Sequence, residues 1–79
     1  MKMFSIRDVK AEGFNVPFFQ PTFGLAERMF QDAVKDEKTS FAKHPEDFSL
    51  YYLGEFNTQS GEFSPEAQPK HVCDAQPRS

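Results

Sequence analysis

The spacing of apolar positions predicts extended structure at the start of this chain. Residues 2–9 alternate, and Phe4 and Ile6 fall on the same side, as in a strand with one buried face. A second extended stretch follows at residues 14–19, beyond a short turn. It contains Pro17, which cannot donate a hydrogen bond to a neighbouring strand. We therefore predict that this second strand is short, lies at an edge or is interrupted.

The next segment, residues 23–35, carries the clearest helical period. Its apolar positions recur at spacings of three and four, which places them on one face of a helix. These positions are Phe23, Ala26, Phe30, Ala33 and Val34. Leu25 and Met29 widen that face, and charged residues occupy the other. Thr22 can cap the N-terminus of the helix.

We expect this helix to end at residues 36–39. Residues 40–43 can form one short helical turn before Pro45, which biases the preceding residue towards extended geometry. Pro45 should also make the connector that follows rigid.

Residues 47–63 predict a β-hairpin, in which two aromatic-rich arms are joined by a polar Asn-Thr-Gln-Ser-Gly turn. Alternation along the first arm defines two faces. One bears Phe48, Leu50, Tyr52 and Phe56; the other bears Ser49, Tyr51, Leu53 and Glu55. Gly54 indicates a bulge or a close backbone approach, and a bulge would exchange the faces beyond it. One face should meet the helix, which leaves the face around Tyr51 and Leu53 as a contact surface.

Together these elements predict an α+β fold of order β-β-α-β-β, an antiparallel sheet covered by one helix. We place this single domain at residues 1–63. Residues 64–79 are poor in large apolar side chains and contain Pro and Gln, so we expect a flexible, disordered C-terminal tail.

Composition and charge add three expectations to this picture. The chain of 79 residues has ten Phe, two Tyr and no Trp, too many aromatic residues for a small core to bury completely. Some should lie at a partner surface. Because Cys73 is the only cysteine, no intramolecular disulfide can stabilise the domain, and we expect a homodimer. The net charge of −3 argues against a strong non-specific binder of duplex DNA.

No apolar run approaches the length of a membrane span, and the N-terminus lacks the apolar region of a signal peptide. We therefore expect a soluble cytoplasmic protein with no membrane contact.

Catalytic and metal-binding patterns are weak throughout the sequence. His44, Glu46 and Asp47 match no known spacing of metal ligands, so we predict no metal and no cofactor. Cys73 lies near His71 and Asp74 but in the expected tail, where catalysis would lack a fixed geometry. The expected role of Cys73 is an exposed thiol, and we predict no enzymatic activity.

Four segments taken together resemble a small nonstructural protein of gokushovirus-type microviruses, tailless phages with circular single-stranded DNA. The segments are residues 3–11, 26–34, 43–48 and 53–57. The resemblance covers roughly residues 3–63. It implies a DNA-binding protein that assists the switch from genome replication to synthesis and packaging of single-stranded genomes. For a phage protein, the cytoplasmic expectation above means the host cytoplasm. The family carries no catalytic motif.

For single-stranded DNA, stacking aromatic residues should be interleaved with cations. The stacking candidates are Phe19, Tyr51 and Tyr52. The phosphate-binding candidates are Lys2, Arg7, Lys10, Arg28 and Lys43. Alternatively, these aromatic residues belong to the core and the cations to ordinary surface. Two functions therefore stay open. The first is binding of single-stranded DNA. The second is a protein-interaction module that binds a phage or host protein, such as a replication protein, through an exposed aromatic sheet face.

Overall fold

Strand β1 (Lys2–Asp8) lies inside an antiparallel sheet and pairs on both of its sides. In the computed structural model, which describes residues 1–76, one side of β1 pairs with β2 (Gly13–Phe14) and β3 (Phe18–Gln20). The other side pairs with β4 (Phe48–Phe56), and β4 pairs with β5 (Phe63–Asp74) at the sheet edge. The helices are α1 (Phe23–Lys35) and α2 (Ser40–Lys43), with a 3-10 turn at Pro45–Asp47. The predicted α+β class, an antiparallel sheet with one main helix, is confirmed.

The predicted interruption of the second extended stretch is also confirmed. β2 and β3 pair with opposite ends of β1, and the segment containing Pro17 joins them. Ser5 Oγ donates a hydrogen bond to the carbonyl of Asn15, which fastens this segment to β1. Ser5 is fully buried as a result.

Helix α1 forms as its period predicts, and Thr22 Oγ1 caps it by accepting a hydrogen bond from the Leu25 amide at 3.1 Å. The buried helical residues face the inner side chains of β1 and β4. Together the core comprises Phe4, Ile6, Ala26, Phe30, Val34, Phe48, Leu50, Tyr52 and Ala75. Leu25 and Met29 stay 39% exposed, because the core covers only the stripe through Ala26, Phe30 and Val34. Among the described residues, no helix is long and apolar enough to cross a membrane.

Gly54 both marks a bulge and permits a close backbone approach. Its φ of 151° is a conformation that other residues rarely adopt, and a Cβ there would lie 2.5 Å from the Ser64 carbonyl oxygen. The register between β1 and β4 shifts at this point, where Leu53 is the extra residue. The faces therefore exchange beyond it, and the Phe56 ring contacts Phe19 rather than the helix-side residues.

The polar turn of the predicted hairpin is present between β4 and β5. Asn57 Oδ1 accepts hydrogen bonds from the Gln59 and Ser60 amides, at 2.8 and 3.1 Å. Gly61 adopts a positive φ of 78°, and its amide donates to the Asn57 carbonyl. These bonds close the loop, which explains the Asn and Gly at its two ends.

The structure corrects the expected domain boundary at residue 63. Residues 64–74 belong to β5 and are not a free tail, while residues 77–79 lie outside the described range. Backbone pairing with β4 holds this edge strand, so it needs few apolar side chains and tolerates Pro65 and Pro69. Its end is fastened to the helix: Gln31 Nε2 donates to the Asp74 carbonyl, at 2.9 Å.

Candidate nucleic-acid interface

The sheet has two different faces, and only one is covered by α1. The opposite face, here called the open face, bears a cluster of Arg7, Phe14, Tyr51 and His71, here called the Arg7 cluster. The Tyr51 ring contacts Phe14 on one side and His71 on the other, edge to face, with centroid distances of 5.4 and 5.5 Å. The Arg7 guanidinium lies 5.5 Å from the centre of the Phe14 ring. Three rings and one cation thus form a continuous row.

Strand register explains how residues from four strands meet there. Directly opposed residues in antiparallel strands share a face. Arg7 of β1 is opposite Phe14 of β2, and Tyr51 of β4 is opposite His71 of β5. Tyr51 is also opposite Ser5, two residues from Arg7. The row therefore crosses the whole width of the sheet.

The charge of this face is mixed. Among residues 1–76, Arg7 forms no ion pair, so its guanidinium is available to a ligand. His71 Nε2 lies 2.7 Å from Asp74 Oδ1, and Ser49 Oγ donates to the same oxygen. The hydrogen bond with His71, followed by the one from Ser49, lowers the pKa of Asp74. The Asp74 carboxylate on the same face as the Arg7 guanidinium makes this face less basic than a typical duplex-binding surface.

Four of the predicted residues lie at or near the open face. Arg7 and Tyr51 belong to the Arg7 cluster itself. Phe19 lies on the same face near the other end of β1, where its ring contacts Phe56 at 5.8 Å. Lys10 is exposed in the turn between β1 and β2, three residues from Arg7.

Tyr52 belongs to the core and not to the open face. Its side chain is 7% exposed and its ring contacts Phe4 and Phe23. The hydroxyl donates to Glu55 Oε1 at 3.0 Å. Burial, with help from this hydrogen bond, raises the pKa of Tyr52 to about 12. Of the two interpretations given for the aromatic residues, the one that places them in the core therefore applies to Tyr52.

Lys2 is likewise engaged on the helix side. Its Nζ lies 2.6 Å from Glu55 Oε1 and 5.3 Å from the centre of the Phe23 ring. The hydrogen bond from Lys2, and then that from Tyr52, lowers the pKa of Glu55. Lys2 thus has a structural partner and is not a free phosphate ligand.

Arg28 and Lys43 are exposed on α1 and α2, in the helical layer. That layer covers the face of the sheet opposite to Arg7, so the structure does not bring these two cations together with the Arg7 cluster.

Sequence reasoning missed two members of the Arg7 cluster. The sequence places Phe14 in an extended stretch and predicts that His71 lies in the tail. Antiparallel pairing across the short turn after β1 would have placed Phe14 opposite Arg7 and therefore on the same face. No local signal identifies His71, because its position depends on pairing with a strand twenty residues earlier.

The side chains of Cys73 and His71 do not come together to form a catalytic arrangement. Cys73 is half-buried in β5, which corrects the expected exposed thiol, and its Sγ contacts Gln31 of α1. Burial raises the pKa of this thiol. His71 contacts Tyr51 on the other face, so it cannot activate Cys73.

The connector after α2 contains three potential metal ligands. Ligand atoms of His44, Glu46 and Asp47 lie within 4.8 Å of one another. Two of the three side chains are exposed, and exposed acidic groups commonly cluster without an ion. Proximity alone therefore does not define a metal site here.

Comparison with known proteins gives one match. A family model described as Phage ORF5 protein matches residues 1–77, nearly the entire chain. No curated protein matches, and no solved structure matches.

Proposed function

This chain belongs to the Phage ORF5 protein family, and from that premise we propose that it is a non-enzymatic phage protein that binds single-stranded DNA. Following the resemblance to gokushovirus nonstructural proteins, it acts in the host cytoplasm. There it assists the switch from genome replication to synthesis and packaging of single-stranded genomes. The proposal needs no cofactor and no metal.

The row of Tyr51, Phe14 and His71 beside Arg7 is the observation that carries the proposal. Unpaired bases stack on aromatic rings, and each stacked base is worth about 1–3 kcal/mol regardless of sequence. Tyr51 is half-buried and Phe14 is 42% exposed, so both are held by the fold while offering surface to a base. Arg7 can contact a phosphate or stack on a base itself.

The charge of the protein favours single strands over duplexes. In a duplex the bases are stacked on one another, so affinity rests mainly on phosphate contacts with Lys and Arg. This chain has a net charge of −3, and within residues 1–76 the Lys and Arg side chains near the open face are Arg7 and Lys10. Stacking must therefore supply most of the affinity, and only unpaired bases can stack on side chains.

Binding to a fluorescent single-stranded oligonucleotide, with a duplex control, tests the proposal at low and near-physiological salt. We expect saturable binding that prefers the single strand. Tyr51→Ala should weaken it about 5- to 150-fold without unfolding the protein. Arg7→Ala should also weaken binding and should reduce its salt dependence.

Arg28→Ala is the matched control for Arg7→Ala, because it removes the same side chain from the opposite side of the sheet. It should leave affinity close to that of the wild-type protein. Equal losses in the two arginine variants would show that binding is unrelated to the open face. Failure of the folded wild-type protein to bind any single strand would reject the proposal.

A protein-interaction module is the second candidate, favoured by the acidic net charge and by the exposed apolar residues around Phe14 and Val16. Val16 is 87% exposed. Absence of DNA binding, together with capture of a phage or host replication protein that Tyr51→Ala abolishes, would support this second function.

We also propose a homodimer that forms through the exposed apolar surface of α1 and not by pairing of sheet edges. Pro65 and Pro69 interrupt hydrogen bonding along the β5 edge, and Pro17 lies between the short strands of the other edge. Leu25 and Met29 form an exposed apolar pair one turn apart on α1. Light scattering should give twice the chain mass for the wild-type protein and the monomer mass for a Leu25→Glu, Met29→Glu variant.

A further inference from the structure

A second aromatic cluster lies on the open face, away from Arg7. It comprises Phe19, Phe56 and Phe63, here called the distal cluster. The Phe19 and Phe56 rings are 5.8 Å apart and inclined at 55°. Phe56 is opposite Phe63 in the β4–β5 register, so the two share a face. Phe19 and Phe63 are each 43% exposed, an unusual exposure for side chains without a polar group.

The register of β1 fixes the spacing of the two clusters. Met3 is opposite Phe19, and Arg7 is opposite Phe14. Met3 and Arg7 are separated by four residues of one strand, which keeps them on the same face. At about 3.3 Å per residue, the two clusters lie roughly 13 Å apart along the strand. The bulge at Gly54 is what brings Phe56 to this face.

The two clusters differ in charge. Arg7 and Lys10 lie at one end, whereas Glu62 lies near Phe56 at the other, together with the amino group of Met1. That amino group donates to the Phe56 carbonyl and lies 4.0 Å from Glu55. A phosphate is therefore favoured at the Arg7 cluster, and within the described part of the chain the distal cluster offers stacking without a free cation.

We propose that the distal cluster is a second base-stacking site, so that one short segment of single-stranded DNA spans both clusters. This inference rests on the proposed function and adds to it a minimum ligand length. The occupant is single-stranded DNA of any sequence, because aromatic stacking does not depend on base identity. Its phosphates lie nearer Arg7, and at least one base stacks against Phe19.

A length series of oligothymidines tests the inference with the wild-type protein and Phe19→Ala. Wild-type affinity should rise steeply at the length that first reaches both clusters. Phe19→Ala should remove that rise: affinity for long oligonucleotides should fall about 5- to 150-fold, while affinity for the shortest binding oligonucleotide stays unchanged.

Phe23→Ala is the matched control, because Phe23 is 41% exposed but lies on the helix side. It should preserve the length dependence, measured well below the melting temperature of each variant. Phe63→Ala should reproduce the effect of Phe19→Ala.

The experiment distinguishes failure of the second stacking site from failure of the proposed function. If long oligonucleotides bind the wild-type protein and Phe19→Ala or Phe63→Ala equally well, the second site is absent while the proposed function stands. If no oligonucleotide of any length binds the folded wild-type protein, both are wrong, and a protein ligand becomes the explanation for the open face.

Discussion

Tyr51 and Tyr52 are adjacent in β4, yet they lie on opposite faces of the sheet and in different chemical surroundings. Tyr52 is 7% exposed and packs among Phe4, Phe23 and the carboxylate of Glu55. Tyr51 lies between Phe14 and His71 on the face that α1 leaves uncovered. Strand alternation thus places identical side chains in the core on one face and in the proposed DNA-binding surface on the other.

The largest effect should follow loss of a core ring on the helix side. Phe30 is fully buried and contacts Phe41, so Phe30→Ala removes its apolar contacts and leaves a cavity. We expect a loss of about 3–5 kcal/mol in the free energy of unfolding, enough to unfold so small a domain. Thermal and urea denaturation followed by circular dichroism measure it.

Phe14→Ala provides the comparison on the open face. Phe14 is 42% exposed, so its truncation should change stability by much less than that of Phe30 while weakening DNA binding. An unchanged melting temperature in Phe30→Ala would contradict the assignment of α1 to the core.

A smaller but still large effect should follow substitution of Gly54, where the two faces exchange. Gly54→Ala places a Cβ 2.5 Å from the Ser64 carbonyl oxygen and 2.8 Å from Pro65 Cα. Positive φ adds strain, so we expect a loss of about 1–3 kcal/mol. Gly24→Ala is the control, because a Cβ there meets nothing within 4 Å. Equal stability of the two variants would show that the β4–β5 approach is looser than the structure indicates.

The two strands of the hairpin show what the sequence can and cannot predict. β4 is rich in aromatic and apolar residues and contains a glycine at position 54, so its existence, the alternation of its side chains between two faces and the bulge at Gly54 follow from local rules. β5 contains Pro65, Pro69 and few apolar residues, and only long-range pairing with β4 makes it a strand. Its C-terminal end depends on Gln31, forty-three residues from Asp74, and no local pattern reveals such a contact.

The residues of the candidate site likewise include some that local sequence patterns predict and others that depend on long-range contacts. Arg7 and Tyr51 could be selected because each lies on the outward side of a strand with clear alternation. Residue type also makes Tyr52 and Lys2 candidates, although in the structure both contact Phe23 and Glu55. Residue type suggests a ligand, but whether a side chain is free depends on neighbours distant in sequence.

Replacing each of the two tyrosines with phenylalanine removes only its hydroxyl group and gives a finer comparison of the two positions. Tyr52→Phe deletes the hydrogen bond to Glu55 and should cost about 1 kcal/mol of stability. Tyr51→Phe keeps the ring and should preserve both stability and DNA binding. Denaturation and oligonucleotide titration of both variants measure this. If Tyr51→Phe abolished binding, recognition would depend on its hydroxyl and not on stacking.

The smallest effect should be a loss of stability at acid pH. A different carboxylate contributes to it on each face of the sheet. On the helix side, Lys2 and then Tyr52 lower the pKa of Glu55, and on the open face His71 and then Ser49 lower that of Asp74. A carboxylate with a lowered folded-state pKa stabilises the fold above its unfolded-state pKa, near 4.5 for Glu55 and 3.8 for Asp74. This stabilisation is lost as the pH falls through the folded-state value.

Both carboxylates are substantially exposed, so each contribution should be modest. Urea denaturation between pH 7 and pH 2 should show a shallower acid decline for Glu55→Gln and for Asp74→Asn than for the wild-type protein. Only Asp74→Asn should also alter DNA affinity, because Asp74 bonds His71 of the Arg7 cluster and Glu55 bonds side chains on the helix side. An equal change in affinity for Glu55→Gln would show that the two faces are coupled and would undo their division into a core face and a binding face.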